Sequence, residues 1–207
     1  MIFVPKLLWP LLSLAAVISG EGDGGTLEGV KVPAKARVEI QGRVSTVSSV
    51  GVGLRFKKVV FVKAKVYVGQ LFLSEPEALK KSRKEALDSL NGVKVAAMQM
   101  HFLRNVDAPT VQEAFRESFK ENKISLDQEP IQKFLTAVKA GGGAQEGKTL
   151  TVIGEKVGAR ELVTYEGTDG KPVTIEGGGG FRREVFALWL GEPTDSGVEN
   201  LQEGLLK

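Results

Sequence analysis

Arg55 and Tyr67 are the two side chains whose types and spacing suggest the most specific chemistry in this sequence. Arg55 stands in VGVGLRFKK, residues 50–58, between the apolar neighbours Leu54 and Phe56. Tyr67 follows twelve residues later in VVFVKAKVYVGQLFL, on what reads as the next strand. Across a hairpin that separation can bring both side chains onto one patch. A guanidinium offers a fork of donors to a carboxylate, and a phenol adds one more. Together they would clamp one acid headgroup, each charge-assisted bond contributing about 1.5–3 kcal/mol. An apolar cavity beside them would hold a tail at about 0.8 kcal/mol per buried methylene. Taken singly, Arg55 also reads as a surface arginine lying along a sheet, and Tyr67 as half-buried packing.

Other reactive groups are sparse. The chain has no cysteine, which excludes disulfides, thiolate metal sites and a cysteine nucleophile. His101 is the only histidine, so multi-histidine metal sites are excluded and a Ser-His-Asp triad has one candidate base. No G-x-S-x-G elbow occurs. Beside Met98, Met100 and Phe102, His101 reads as a packed structural residue. Gly51-x-Gly53 lacks the rest of a dinucleotide fingerprint, and Gly177–Gly180 lacks the Lys-Ser/Thr of a phosphate loop. The net charge of +3 comes from cations interspersed with anions, which is no footprint for nucleic acid. No catalytic residue, metal or cofactor is therefore assigned.

The elements that must position Arg55 and Tyr67 follow from periodicity. Ser45–Phe56 reads as a strand, Lys57-Lys58 as a hairpin turn, and Val59–Leu73 as the strongest strand. From Val60 to Val68 the even positions are apolar, which places Lys63, Lys65 and Tyr67 together on the other face. Val30–Ile40, broken by Pro33, reads as a short edge strand and turn. A helix is expected from the Ser74-Glu75-Pro76-Glu77 capping box to Leu90, then a strand over Val93–Leu103. Two helices follow, from Asp107 to about Glu121 and over Glu129–Ala140. Three short strands near 150–153, 161–165 and 173–176 precede a helix over Phe181–Leu190 and a last one over 197–206. Arg182 and Arg183 read as a solvated helix face, and Trp189 as helix packing or cavity wall. Strands, helices, strands, then helices argue for an α+β fold, an antiparallel sheet with helices packed on one face.

Met1–Gly20 has a single lysine, an apolar run and small residues at its end, the order of a signal peptide. Residues 21–26 read as a linker and 27–207 as one domain. The expected location is outside the cytoplasm, periplasmic or extracellular. A retained leader would instead act as an anchor and give weak membrane association.

Gly53-Leu54-Arg55-Phe56-Lys57, Lys65-Val66-Tyr67-Val68 and Phe72-Leu73 resemble the chalcone isomerase superfamily in its bacterial chalcone isomerase-like branch. Met98–Val106, the helix from Thr110 and Phe186–Gly191 resemble it in order and spacing, over about Leu27–Lys207. The resemblance implies an open-faced β-sandwich with a ligand cleft between sheet and helices. It implies that Arg55 and Tyr67 occupy the positions with which fatty-acid-binding members hold a ligand carboxylate. The isomerases have threonine at the position of Tyr67, and their catalytic tyrosine and asparagine have no match between Asn105 and Phe115, where Ala114 falls near the asparagine. The expected function is non-catalytic binding of a fatty acid or similar amphiphile. The alternatives are an isomerase or lyase on a phenolic substrate, with Arg55 stabilising a developing oxyanion, and an envelope interaction module without a small ligand.

Overall fold

The computed structural model describes residues 17–60 and 62–207. The expected leader therefore lies outside the described residues up to position 16. Ten strands are present among the described residues: β1 (Ile18–Glu21), β2 (Thr26–Leu27), β3 (Val30–Lys31), β4 (Lys35–Ile40), β5 (Arg43–Val59), β6 (Val62–Leu73), β7 (Val95–Phe102), β8 (Thr149–Val157), β9 (Arg160–Glu166) and β10 (Pro172–Gly177). The helices are α1 (Ala86–Ser89), α2 (Ala108–Glu121), α3 (Glu129–Ala140), α4 (Phe181–Leu190) and α5 (Ser196–Leu205). Eight strands form one antiparallel sheet in the order β1-β4-β5-β6-β7-β8-β9-β10, and β2 and β3 form a separate hairpin.

The helices cover one face of this sheet. Alternate residues of β7 and β8, Met98, Met100, Leu150 and Val152, pack with Phe115 and Phe119 of α2, Phe134 of α3 and Trp189 of α4. The 17-residue strand β5 shapes the opposite face. Arg43–Ser48 pair with β4 and Ser48–Val59 with β6, with register shifts at Ser49/Gly51 and Arg55/Phe56. Such bulges bend a strand and increase its twist. The β1–β4 end thus curls over the outer face, where Val17, Ile18, Val38 and Val47 form a second core with Phe72, Ala97 and Ile153.

Several expectations are corrected by this architecture. The β5–β6 turn lies beyond Val59, which pairs with Val62, so Lys57 and Lys58 belong to a strand. The expected helix from Pro76 to Leu90 is broken into a 3-10 turn at Pro76–Ala78, the short α1, and a second 3-10 turn at Leu90–Gly92. The reason is visible in Lys80–Glu85, where six polar residues in a row leave no apolar stripe to bury. Ser74 caps no helix; its hydroxyl bonds Glu75 and the Val95 carbonyl. At the start of the fold, Glu21 closes β1 and Thr26 opens β2, so only 22–25 of the expected linker is irregular.

Arg182 is buried rather than solvated, at 1% exposure. Its guanidinium donates to the carbonyls of Leu90 (2.7 Å) and Val93 (2.6 Å). The backbone N–H of Arg182 donates to Glu161 at 2.9 Å. The Leu90 carbonyl also accepts the Val93 N–H at 3.0 Å, so Arg182 adds a second donor there and supplies the side-chain donor for the Val93 carbonyl. Arg183 does face solvent, where it pairs with Asp88.

Candidate functional site

Arg55 and Tyr67 are direct cross-strand partners in the β5–β6 ladder. Partners in an antiparallel pair project from the same face, and both side chains line a cavity of about 510 Å³ between the sheet and the helices. That volume falls within the range of small-molecule sites. Met100 and Phe102 of β7, Val111 and Phe115 of α2, and Leu188 and Trp189 of α4 supply most of the apolar wall. Tyr67 packs its ring at 5.4 Å from Phe102, and Trp189 meets Phe115 edge-on at 5.9 Å.

The bulge decides where Tyr67 points. Arg55 pairs with Tyr67 but Phe56 pairs with Lys65, so Val66 is the extra residue on β6. Val66 and Tyr67 both line the cavity, while Lys65 and Lys63, facing Phe56 and Lys58, project outward. The expectation that Tyr67 shares a face with Lys63 and Lys65 is therefore wrong: one inserted residue inverts the alternation between them. Lys63 instead lies over the Phe56 ring at 4.5 Å, and Lys65 pairs with Glu28.

Helix α5 fixes the guanidinium. It lies directly on β5, because a Cβ at Gly51 or Gly53 would collide with the carbonyl oxygens of Leu205 and Leu201. Its N-cap, Asp195, accepts from the N–H groups of Gly197 and Val198 through Oδ1. Through Oδ2 it receives Arg55 Nη2 at 2.8 Å and Lys57 Nζ at 3.2 Å. Burial raises the cost of the Asp195 charge, but the Arg55 bond, the Val198 N–H and the nearby cations outweigh it and hold the carboxyl at about 2. Arg55 Nη1 is buried and finds no hydrogen-bond partner. Two cations and one anion leave a single unbalanced positive charge here, beside an unused donor.

Tyr67 is only partly exposed. Burial pushes its phenol up to about 12, partly offset by the Arg55 charge and the Trp189 indole. It is a neutral hydrogen-bond donor at physiological pH. His101 lies elsewhere: it pairs with Val68, on the outer face of the sheet, and lines a shallow hollow with Gln99, Lys31 and Asp23. Its Nε2 is buried without a partner, and burial lowers its pKa. Among the described residues no three His, Asp or Glu side chains gather as a metal site would require.

Asp195 is the residue of the candidate site that sequence reasoning missed. Thr194-Asp195-Ser196 ahead of the last helix carries a capping signature, yet nothing local says that the cap meets Arg55, 140 residues away. Lys57, read as a turn residue, and Arg104 also line the cavity.

Residues 24–207 match the model of a family described as chalcone isomerase-like. Among solved structures, a fatty-acid binding protein from Arabidopsis thaliana aligns with a TM-score of 0.57 at 20% identity, covering 86% of this chain and 94% of that one. No curated protein matched the sequence.

Proposed function

The chain belongs to the chalcone isomerase-like family, and from that footing we propose that it binds one monoanionic amphiphile, a fatty acid or similar apolar carboxylate, without altering it. The observation that carries this reading is the register pairing of Arg55 with Tyr67 on the wall of an apolar cavity. The Arg55 guanidinium and the phenol donate to one carboxylate, whose charge balances the residual cation of the Arg55–Lys57–Asp195 cluster. The tail lies against Met100, Phe102, Phe115 and Trp189. The fatty-acid binding named for the Arabidopsis structure agrees with this reading.

The reading is non-catalytic because neither member of the clamp nor its carboxylate partner is poised for proton transfer near neutrality. Tyr67 holds its proton up to about 12, Asp195 is ionised down to about 2 and engaged by four donors, and efficient general acid–base catalysis favours a pKa near the working pH. Ala114 on the cavity wall offers no amide to a substrate oxygen.

Displacement of a fluorescent fatty acid from the purified protein tests the proposal. Arg55→Gln should weaken binding by roughly 10- to 150-fold, the equivalent of about 1.5–3 kcal/mol. Tyr67→Phe should cost about tenfold or less, the value of one neutral hydrogen bond. Wild-type affinity in Arg55→Gln, or turnover of a chalcone by the wild-type protein, would refute it. The leader-like Met1–Gly20 leads us to infer that the protein acts outside the cytoplasm; N-terminal sequencing from fractionated cells checks this.

A further inference from the structure

The β5–β6 hairpin carries an apolar tip whose valines stay open to solvent among the described residues. Val59, Val60 and Val62 are 56%, 81% and 66% exposed, three of the five large apolar side chains left so open among the described residues. Core packing does not account for them. Turn geometry does not either: Val60 sits at φ 54, a left-handed conformation that costs a β-branched residue about 1–2 kcal/mol and that Gly or Asn adopts far more easily. A strained, exposed valine persists for a reason other than stability.

The shoulders of the tip are cationic. Lys57 and Lys58 precede it, and Lys63 and Lys65 follow it. Lys57 and Lys65 have carboxylate partners, in Asp195 and Glu28. Lys58 and Lys63 have none among the described residues, although they stand directly opposite each other in the ladder. Like charges in facing positions repel, and an external anion relieves that repulsion. An apolar apex with ammonium groups behind it matches a bilayer interface, where side chains such as valine enter the acyl boundary and lysines meet lipid phosphates. The tip also adjoins the cavity, since Lys57 and Val59 belong to the hairpin and line the cavity wall.

We propose that the β5–β6 hairpin docks this protein on the surface of an anionic lipid bilayer, with the cavity opening beside the lipid. The docking itself is independent of what the cavity holds. Its consequence, exchange of an amphiphile between membrane and cavity without passage through water, rests on the binding reading above.

The chain has no cysteine, so Val60→Cys in the full-length protein gives a single site for an environment-sensitive dye. A second labelled protein, Val173→Cys, reports from β10 at the far edge of the sheet. Both are titrated with phosphatidylglycerol vesicles and with phosphatidylcholine vesicles. The expected result is a blue shift and brightening at position 60 with phosphatidylglycerol, a much weaker response with phosphatidylcholine, and none at position 173. Lys58→Gln and Lys63→Gln should each weaken the apparent partition by about fivefold. Val62→Asp should abolish the response at position 60 while leaving fatty-acid affinity in vesicle-free solution unchanged. Silence at position 60, equal responses at 60 and 173, equal responses to the two lipids, or indifference to the lysine substitutions would overturn the proposal. Docking without any fatty-acid affinity would overturn the cavity reading alone.

Discussion

Asp195 joins two tasks that are usually separate, capping α5 and steering Arg55. Its folded pKa of about 2 lies below the ordinary 3.8, so folding favours the ionised form. That stabilisation is complete above the ordinary value and is lost as the pH falls toward 2. Partial exposure screens the interaction, and its worth is about 1–2 kcal/mol. Asp195→Asn keeps a capping oxygen and removes the charge. It should lower the urea midpoint at neutral pH and flatten its fall between neutral and strongly acidic conditions, as unfolding titrations at a series of pH values would show. The two tyrosines of the chain, Tyr67 and Tyr165, make a complementary alkaline prediction. Burial raises both above the ordinary value of 10. Stability from keeping them neutral is therefore full below 10 and is lost as the pH rises beyond it. Near-ultraviolet absorbance of the native protein should show no phenolate transition around 10; a normal transition would mean that at least one of the two rings is open to solvent, and Tyr67→Phe would tell which.

At the scale of elements, the contact of α5 with β5 carries the site. Gly51 and Gly53 remove side chains from the strand where the helix backbone rests, and Gly197 does the same for the helix, where a Cβ would strike the Phe56 carbonyl and Arg55 Nη1. Gly53→Ala should destabilise the fold by about 1–3 kcal/mol, the usual cost of overpacking. It should also weaken carboxylate binding, because lifting α5 draws Asp195 away from Arg55. Denaturant unfolding together with fatty-acid titration on the same sample checks both; unchanged stability would mean that α5 is not seated on the strand. The bulge at Val66 has the same kind of importance: it costs the ladder one regular pair, and in return it turns Tyr67 toward the helices while the lysines stay outside.

For the whole molecule, the curl of the sheet creates a second core whose edge is β1. Val17 and Ile18 are 4% and 5% exposed there. The Val17 N–H reaches Glu166 at 3.4 Å, and the Val17 carbonyl accepts from Glu39 at 3.0 Å. A protein starting at Glu21 should be less stable than one starting at Val17 by about 3–5 kcal/mol, from the loss of two buried side chains. Thermal unfolding of the two truncations measures this, and equal stabilities would mean that β1 does not hold the curled end. Cleavage of a leader after Gly20 would remove this strand, so the position of any cleavage bears directly on the fold.

The sequence alone determined what depends on neighbours along the chain. Period-two alternation in β6, the cap of α2, the apolar stripes of α2 and α3, and the chain order of strands and helices define the α+β class. The short connection between β5 and β6 was enough to bring Arg55 and Tyr67 together, since a hairpin is a local structure. Tertiary structure decided the rest. The single-residue shift at Val66 that inverts the faces of β6 carries no mark in composition. The partner of Arg55 is supplied by a helix cap 140 residues away, and Arg182 is buried against the carbonyls of Leu90 and Val93, about 90 residues earlier in the chain. Each of these depends on surfaces that meet only after folding, where packing and unpaired backbone groups override local preference.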